Sequence, residues 1–163
     1  MKRRQLASRE GASPEQLVRE VADWWSGEPD AVAAVLVGSR ARGTAKAESD
    51  LDIILLSRDP TRYLRDTSWA AAFGTPDRMQ LEAYGDVTSL RVWYRAGPEV
   101  EFGLTSAAWA SDPVDKRASQ VIREGIRILA DREGVLAARV QAILSPSPSA
   151  GGTIVPCEIA DRK

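Results

Sequence analysis

Apolar residues recur along this chain with two different periods, and the switches between them mark its elements. Between Ser13 and Gly27, Leu17, Val21 and Trp24 fall on one helical face, with Val18 and Trp25 beside them. Ser13 is suited to cap this helix, Pro14 to its first position, and Gln16 to complete a capping box. Gly27 and Pro29 stop it. Ala31 to Val37 is an unbroken apolar run, as in a buried strand. Gly38-Ser39 breaks that run, and Ser39 to Ala47 has room for a short helix weakened by Gly43. Leu51 to Leu56 is a second apolar run and predicts a central strand. Asp59-Pro60 opens a helix with Tyr63, Leu64 and Trp69 as packing residues, ending near Gly74. Met79, Leu81 and Ala83 then alternate with polar residues, as in a half-buried strand. Val87 to Tyr94 and Glu99 to Leu104 predict an antiparallel pair joined over Arg95-Ala96-Gly97-Pro98. Beyond it the period is helical again. Asp112-Pro113 starts a helix with Val121, Ile122, Ile126 and Leu129 on one face, and Val135 to Leu144 predicts another after Gly134.

The predicted order is helix, strand, helix, strand, helix, about three strands, then helices. It implies an α+β fold, a mixed β-sheet with packed helices in a single domain over residues 1–144. Residues 113–144 form its C-terminal helices. Ser145 to Gly152 reads SPSPSAGG, so residues 145–163 are expected to form a flexible tail.

Composition narrows the chemistry. The chain has 163 residues, 44% hydrophobic and 28% charged, with a net charge of −1, which argues against broad nucleic-acid binding. No apolar run is long enough to span a bilayer, and Lys2, Arg3 and Arg4 precede no signal-type apolar stretch. With Cys157 as the one cysteine, no internal disulfide forms, and a cytoplasmic protein is the expectation. There is no histidine, which excludes a histidine-based triad and most zinc sites. Chemistry here must run on carboxylates, hydroxyls, Lys/Arg and a hard metal.

Asp50 and Asp52 supply two such carboxylates. Side chains two apart on a strand share a face, so these acids point one way while Leu51 and Ile53 point the other. Two like charges beside a core repel and lose hydration; Mg²⁺ removes both penalties and keeps positions open for substrate phosphates. The alternative is a solvated turn at the strand start. Gly38-Ser39 adds a backbone that can approach a phosphate closely, with a hydroxyl donor. In EVEFGL (99–104), Val100, Phe102 and Leu104 form the apolar face, so Glu99 and Glu101 share the other. Glu101, flanked by large apolar residues, is the candidate third ligand; its alternative is a solvent-facing acid on an edge strand.

The stretch GSRARGTAKAESDLD resembles the signature of the DNA polymerase β-type nucleotidyltransferase superfamily: Gly-Ser, about ten residues, Asp-x-Asp, then a third acid on a later strand. It looks most like the small bacterial minimal nucleotidyltransferases and, more distantly, aminoglycoside and lincosamide nucleotidyltransferases. The resemblance covers about Ala31 to Thr105, and VEFGLTSAAWASDPVD with REGIRILAD extends it to about residue 135. It implies transfer of a nucleoside monophosphate from an NTP, with ATP the expectation, to an acceptor hydroxyl, releasing pyrophosphate. Asp50, Asp52 and Glu101 would be the catalytic metal ligands for two Mg²⁺ ions. Gly38 and Ser39 would bind the β- and γ-phosphates. Arg40 and Arg42 would either neutralise the leaving pyrophosphate or form a solvated helix face. Lys46 is read as solvated, Ser49 as a turn residue, and Trp24, Trp25, Trp69, Trp93 and Trp109 as core.

The acceptor, a small molecule or a protein, is not legible. About thirty residues of helix follow the sheet, so the acceptor pocket would come from a homodimer, a helical partner protein or a shallow cleft. The resemblance also carries a second function, an antitoxin-like module that binds or nucleotidylates a partner protein, and a third, an NTP-binding domain without turnover.

Overall fold

A computed structural model of the chain describes residues 12–111 and 115–145. The first helix, α1 (Pro14–Ser26), begins as the sequence predicts: the Ser13 hydroxyl accepts from the Gln16 amide, and the Gln16 side chain accepts from the Ser13 amide. Strand β1 (Ala31–Val37) and strand β2 (Leu51–Ser57) flank a five-residue helix, α2 (Gly38–Arg42), which ends at Gly43 in the left-handed region. Helix α3 (Pro60–Arg65), strands β3 (Pro76–Tyr84), β4 (Val87–Tyr94) and β5 (Glu99–Ser106), helix α4 (Lys116–Glu124), strand β6 (Arg127–Asp131) and helix α5 (Val135–Leu144) follow.

The strands form one mixed sheet in the order β3-β4-β5-β2-β1-β6, in which β2 and β5 are parallel and the other neighbours antiparallel. Both faces of β1 are covered, which is why it is apolar throughout. Ala34 and Leu36 pack with Leu17, Val21 and Trp25 of α1, while Ala33 and Val35 pack with Ile122 of α4 and Leu136 of α5. The indole of Trp25 donates to the Ala33 carbonyl at 2.8 Å, so the largest buried side chain on α1 leaves no polar atom unpaired. Trp24 stacks on Trp69 with ring centroids 5.0 Å apart.

Three expectations change. The helix beginning at Asp59-Pro60 is two pieces, because the Asp66 carboxylate accepts from the Ser68 amide and offers the backbone a turn; a 3-10 helix then spans Ser68–Phe73. The helix expected to carry Ile126 and Leu129 ends at Gly125, whose φ of 123° no helix contains. Residues 127–131 become β6, since the open edge of β1 offers them ladder hydrogen bonds. Arg132 then ties this end to α1 by donating to the Ser26 and Glu28 carbonyls. Strand β3 forms where its alternation predicts, but Met79 and Leu81 are 44% and 54% exposed. The predicted helix start at Asp112-Pro113 and the tail after Ser145 lie outside the described residues. No helix among the described residues is long and apolar enough to cross a membrane.

Candidate active site

Parallel pairing of β2 and β5 sets Asp52 beside Glu101, with Asp50 one residue before β2. Each of the three offers a carboxylate oxygen, and these oxygens lie within 4.8 Å of one another. Burial first, then the charges of Asp50 and Glu101 and a hydrogen bond with Glu101, push the Asp52 carboxyl up to about 7; the Arg91 charge opposes them. Such crowding is tolerable when a hard cation shares the oxygens, and half-buried carboxylates are the donor set Mg²⁺ takes. The residues therefore fit a divalent ion.

Val37 is the register partner of Asp52, so the chain leaving β1 passes directly over that carboxylate. The next residue, Gly38, has φ +74°, and a Cβ there would collide with Asp52 Oδ2. Glycine is required on both counts. Gly38 and Ser39 thus open α2 against the acids. The loop after α2 engages the Arg40 guanidinium: its Nε and Nη2 donate to the Ser49 carbonyl at 3.2 and 2.7 Å, and Nη2 also reaches the Lys46 and Ala47 carbonyls at 3.3 Å. It is neither a solvated residue nor a free cation; it holds the loop that delivers Asp50. Arg42 is exposed and lies against Gly125. Lys46 is exposed, and the Ser49 hydroxyl accepts from the Lys46 amide as a turn residue does.

Sequence reasoning missed Arg91. On β4, Leu90, Val92 and Tyr94 face the core, so Ser89, Arg91 and Trp93 face the site. Arg91 lies opposite Glu101 in the β4–β5 ladder and pairs with Glu99 at 2.8 Å, Glu101 at 3.2 Å and Glu82 at 3.4 Å. Burial works against its charge, and the three carboxylates overcome this and hold its pKa above the usual arginine value. Only part of the signal was in the sequence: alternation along β4 puts Arg91 on its polar face, but counting back from a turn over 95–98 sets Val92 opposite Glu101, and the observed register, one residue off that count, brings Arg91 there instead. Trp93 departs from the core reading. It is half-buried on this polar face, under the Arg78 guanidinium at 4.3 Å. Trp109 is buried but also walls a cavity of about 470 Å³ that opens beside the acids, lined by Asp52, Glu101, Val87, Arg117 and Gln120 among others.

Removing Arg91 strips the only cation pairing with Glu99 and Glu101 among the described residues. Arg91→Met is expected to lower the thermal midpoint by about 3–8 °C at pH 8 without metal. At pH 5, where Asp52 is protonated, the loss should shrink; thermal unfolding at the two pH values checks this.

A mixed sheet with helices on both faces is the architecture of the polymerase β-like nucleotidyltransferase fold, and here it gathers three acids beside a Gly-Ser turn. Comparison with known proteins fits that class: residues 15–94 match the sequence model of the nucleotidyltransferase domain family, a span that ends before the strand carrying Glu101. Among twelve matching chains of solved structures is an aminoglycoside 6-adenyltransferase from Bacillus subtilis, at 16% identity and a TM-score of 0.50. The alignment covers 62% of this chain and only 38% of that one, and the likeness concerns the fold alone. No curated protein sequence matches.

Proposed function

We propose that the chain is a magnesium-dependent nucleotidyltransferase that moves a nucleoside monophosphate from an NTP, with ATP the first candidate, to an acceptor hydroxyl. The observation that carries this reading is the meeting of Asp50, Asp52 and Glu101 oxygens within 4.8 Å, under a Gly-Ser turn whose glycine admits no side chain. Asp50, Asp52 and Glu101 would hold the metal. Bound there, magnesium neutralises triphosphate charge and acidifies the acceptor hydroxyl. The bond between the acceptor oxygen and the α-phosphorus forms as the bond to pyrophosphate breaks. Glu101 would take the acceptor proton, since a chain without histidine has carboxylates as its bases. Gly38 and Ser39 hold the β- and γ-phosphates. Arg42, exposed at the end of α2, is the arginine left for the leaving pyrophosphate, because the Arg40 guanidinium is taken up by the 46–49 loop. The cavity beside Asp52 supplies the space for a substrate.

The antitoxin-like reading would be favoured by an apolar stripe on the C-terminal helices. The large exposed apolar residues of α5 are Val135 and Leu144, at opposite ends and half a turn apart around the axis, so they form no stripe. Incubation with labelled NTPs and Mg²⁺, alone and then with cell extract, tests the proposal. Labelled small molecules support a small acceptor, and a single labelled protein band supports a protein acceptor. Absence of nucleotide uptake in calorimetry with Mg²⁺ would refute nucleotide chemistry altogether.

A further inference from the structure

Strand β3 ends the sheet, so among the described residues one of its edges has no ladder partner. On the face it shares with Leu90 and Val92 of β4, it carries Met79, Leu81 and Ala83, all exposed, although Leu90 and Val92 themselves are buried. A long edge with an apolar face is what monomeric sheets avoid. The opposite face of β3 is a polar row. Arg78 donates to Gln80 at 2.7 Å, Gln80 donates to Glu82 at 3.0 Å, and the Tyr84 hydroxyl donates to Glu82.

We propose that this edge pairs with β3 of a second copy of the chain, antiparallel, about a two-fold axis at Gln80. Pattern and charge select the register. Residues directly opposite in an antiparallel ladder share a face, so Met79 and Leu81 must meet odd-numbered residues to stay on the apolar side. Centring on Gln80 sets Met79 against Leu81 of the second copy and Arg78 against Glu82 of the second copy, each twice by symmetry. Centring on Met79 would set Leu81 against the carboxylate of Asp77. Centring on Leu81 would set Arg78 against Tyr84 and leave no opposite charges paired. Only the Gln80 register matches apolar to apolar and cation to anion together. A two-fold perpendicular to the sheet keeps its faces in common. Both acidic sites would therefore open on the same side of a continuous sheet, joined by the row Arg78, Gln80, Glu82 and Arg91 from each copy. The inference is independent of the nucleotide chemistry proposed above.

Sedimentation of the full chain should give twice the monomer mass, and Leu81→Lys should return it to the monomer. In a Cys157→Ser background, Gln80→Cys should form an intermolecular disulfide under mild oxidation. Opposed Cα atoms in a ladder are about 4.5–5.5 Å apart, inside the disulfide range of about 4.4–6.8 Å. Asp77→Cys in the same background should not cross-link, because the register separates the two copies of that position by about 20 Å. A monomeric wild-type chain overturns the proposal, including one in which the chain's own ends protect the β3 amides. So does a dimer that survives Leu81→Lys or cross-links through position 77.

Discussion

Asp52→Asn is expected to lower nucleotidyl transfer by at least about a thousandfold, the equivalent of the several kcal/mol that metal-assisted charge stabilisation supplies. It should not unfold the protein. Asparagine keeps the shape of aspartate and removes a charge that burial, Asp50 and Glu101 all disfavour. The same shift fixes the pH dependence of the metal-free wild type. With a folded pKa of about 7 against an ordinary value of 3.8, the native state binds a proton that the unfolded chain has released between those values. Stability is therefore greatest at the acid end of that window and falls as pH rises through about 7. Mg²⁺ should restore what is lost at pH 8. Asp52→Asn should flatten the dependence and melt about 3–6 °C above the wild type at pH 8 without metal. Thermal unfolding from pH 5 to pH 8, with and without Mg²⁺, and a labelled-NTP assay of both proteins supply the measurements. Full activity in the variant would remove Asp52 from the metal site.

Gly38→Ala should be nearly as damaging, by another route. Alanine at φ +74° carries backbone strain of about 1–2 kcal/mol, and its methyl group would displace the Asp52 carboxylate. A shift of about 1 Å in a reacting group costs on the order of a hundredfold in rate, so activity should fall by at least that much together with stability. Gly43→Ala isolates the two effects. Gly43 has φ +76°, but a Cβ there meets nothing within 4 Å, so that variant should carry the strain and retain transfer. Equal activity losses in the two variants would mean that strain alone matters and that the closeness of Gly38 to Asp52 does not.

These two residues were legible because both belong to one contiguous stretch. A Gly-Ser break after an apolar run, then Asp-x-Asp at the head of another, is a local pattern, and local patterns survive without a structure. Glu101 was legible through the alternation of its own strand. Arg91 was overlooked because its importance lies in its cross-strand partners, Glu82, Glu99 and Glu101, none of which is near it in sequence. Arg40 is a related case: a guanidinium near a phosphate-type turn reads as an anion ligand or a solvated residue, and only the folded loop supplies the three carbonyls to which it donates.

Periodicity of apolar side chains, with caps and glycine breaks, was enough by itself to define α1, β1, β2, β4, β5 and α5 and the face on which each candidate acid lies, because burial acts on every element through its own repeat. Tertiary structure alone decided which strand edges meet. It laid β5 parallel to β2 so that Glu101 reaches Asp52, and drew residues 127–131 out of a helical pattern onto the edge of β1. It also left the alternating face of β3 uncovered at the rim of the sheet. Backbone hydrogen bonds between strands are the same for any sequence, so strand order follows from the packing of the whole chain and cannot be read from any one segment.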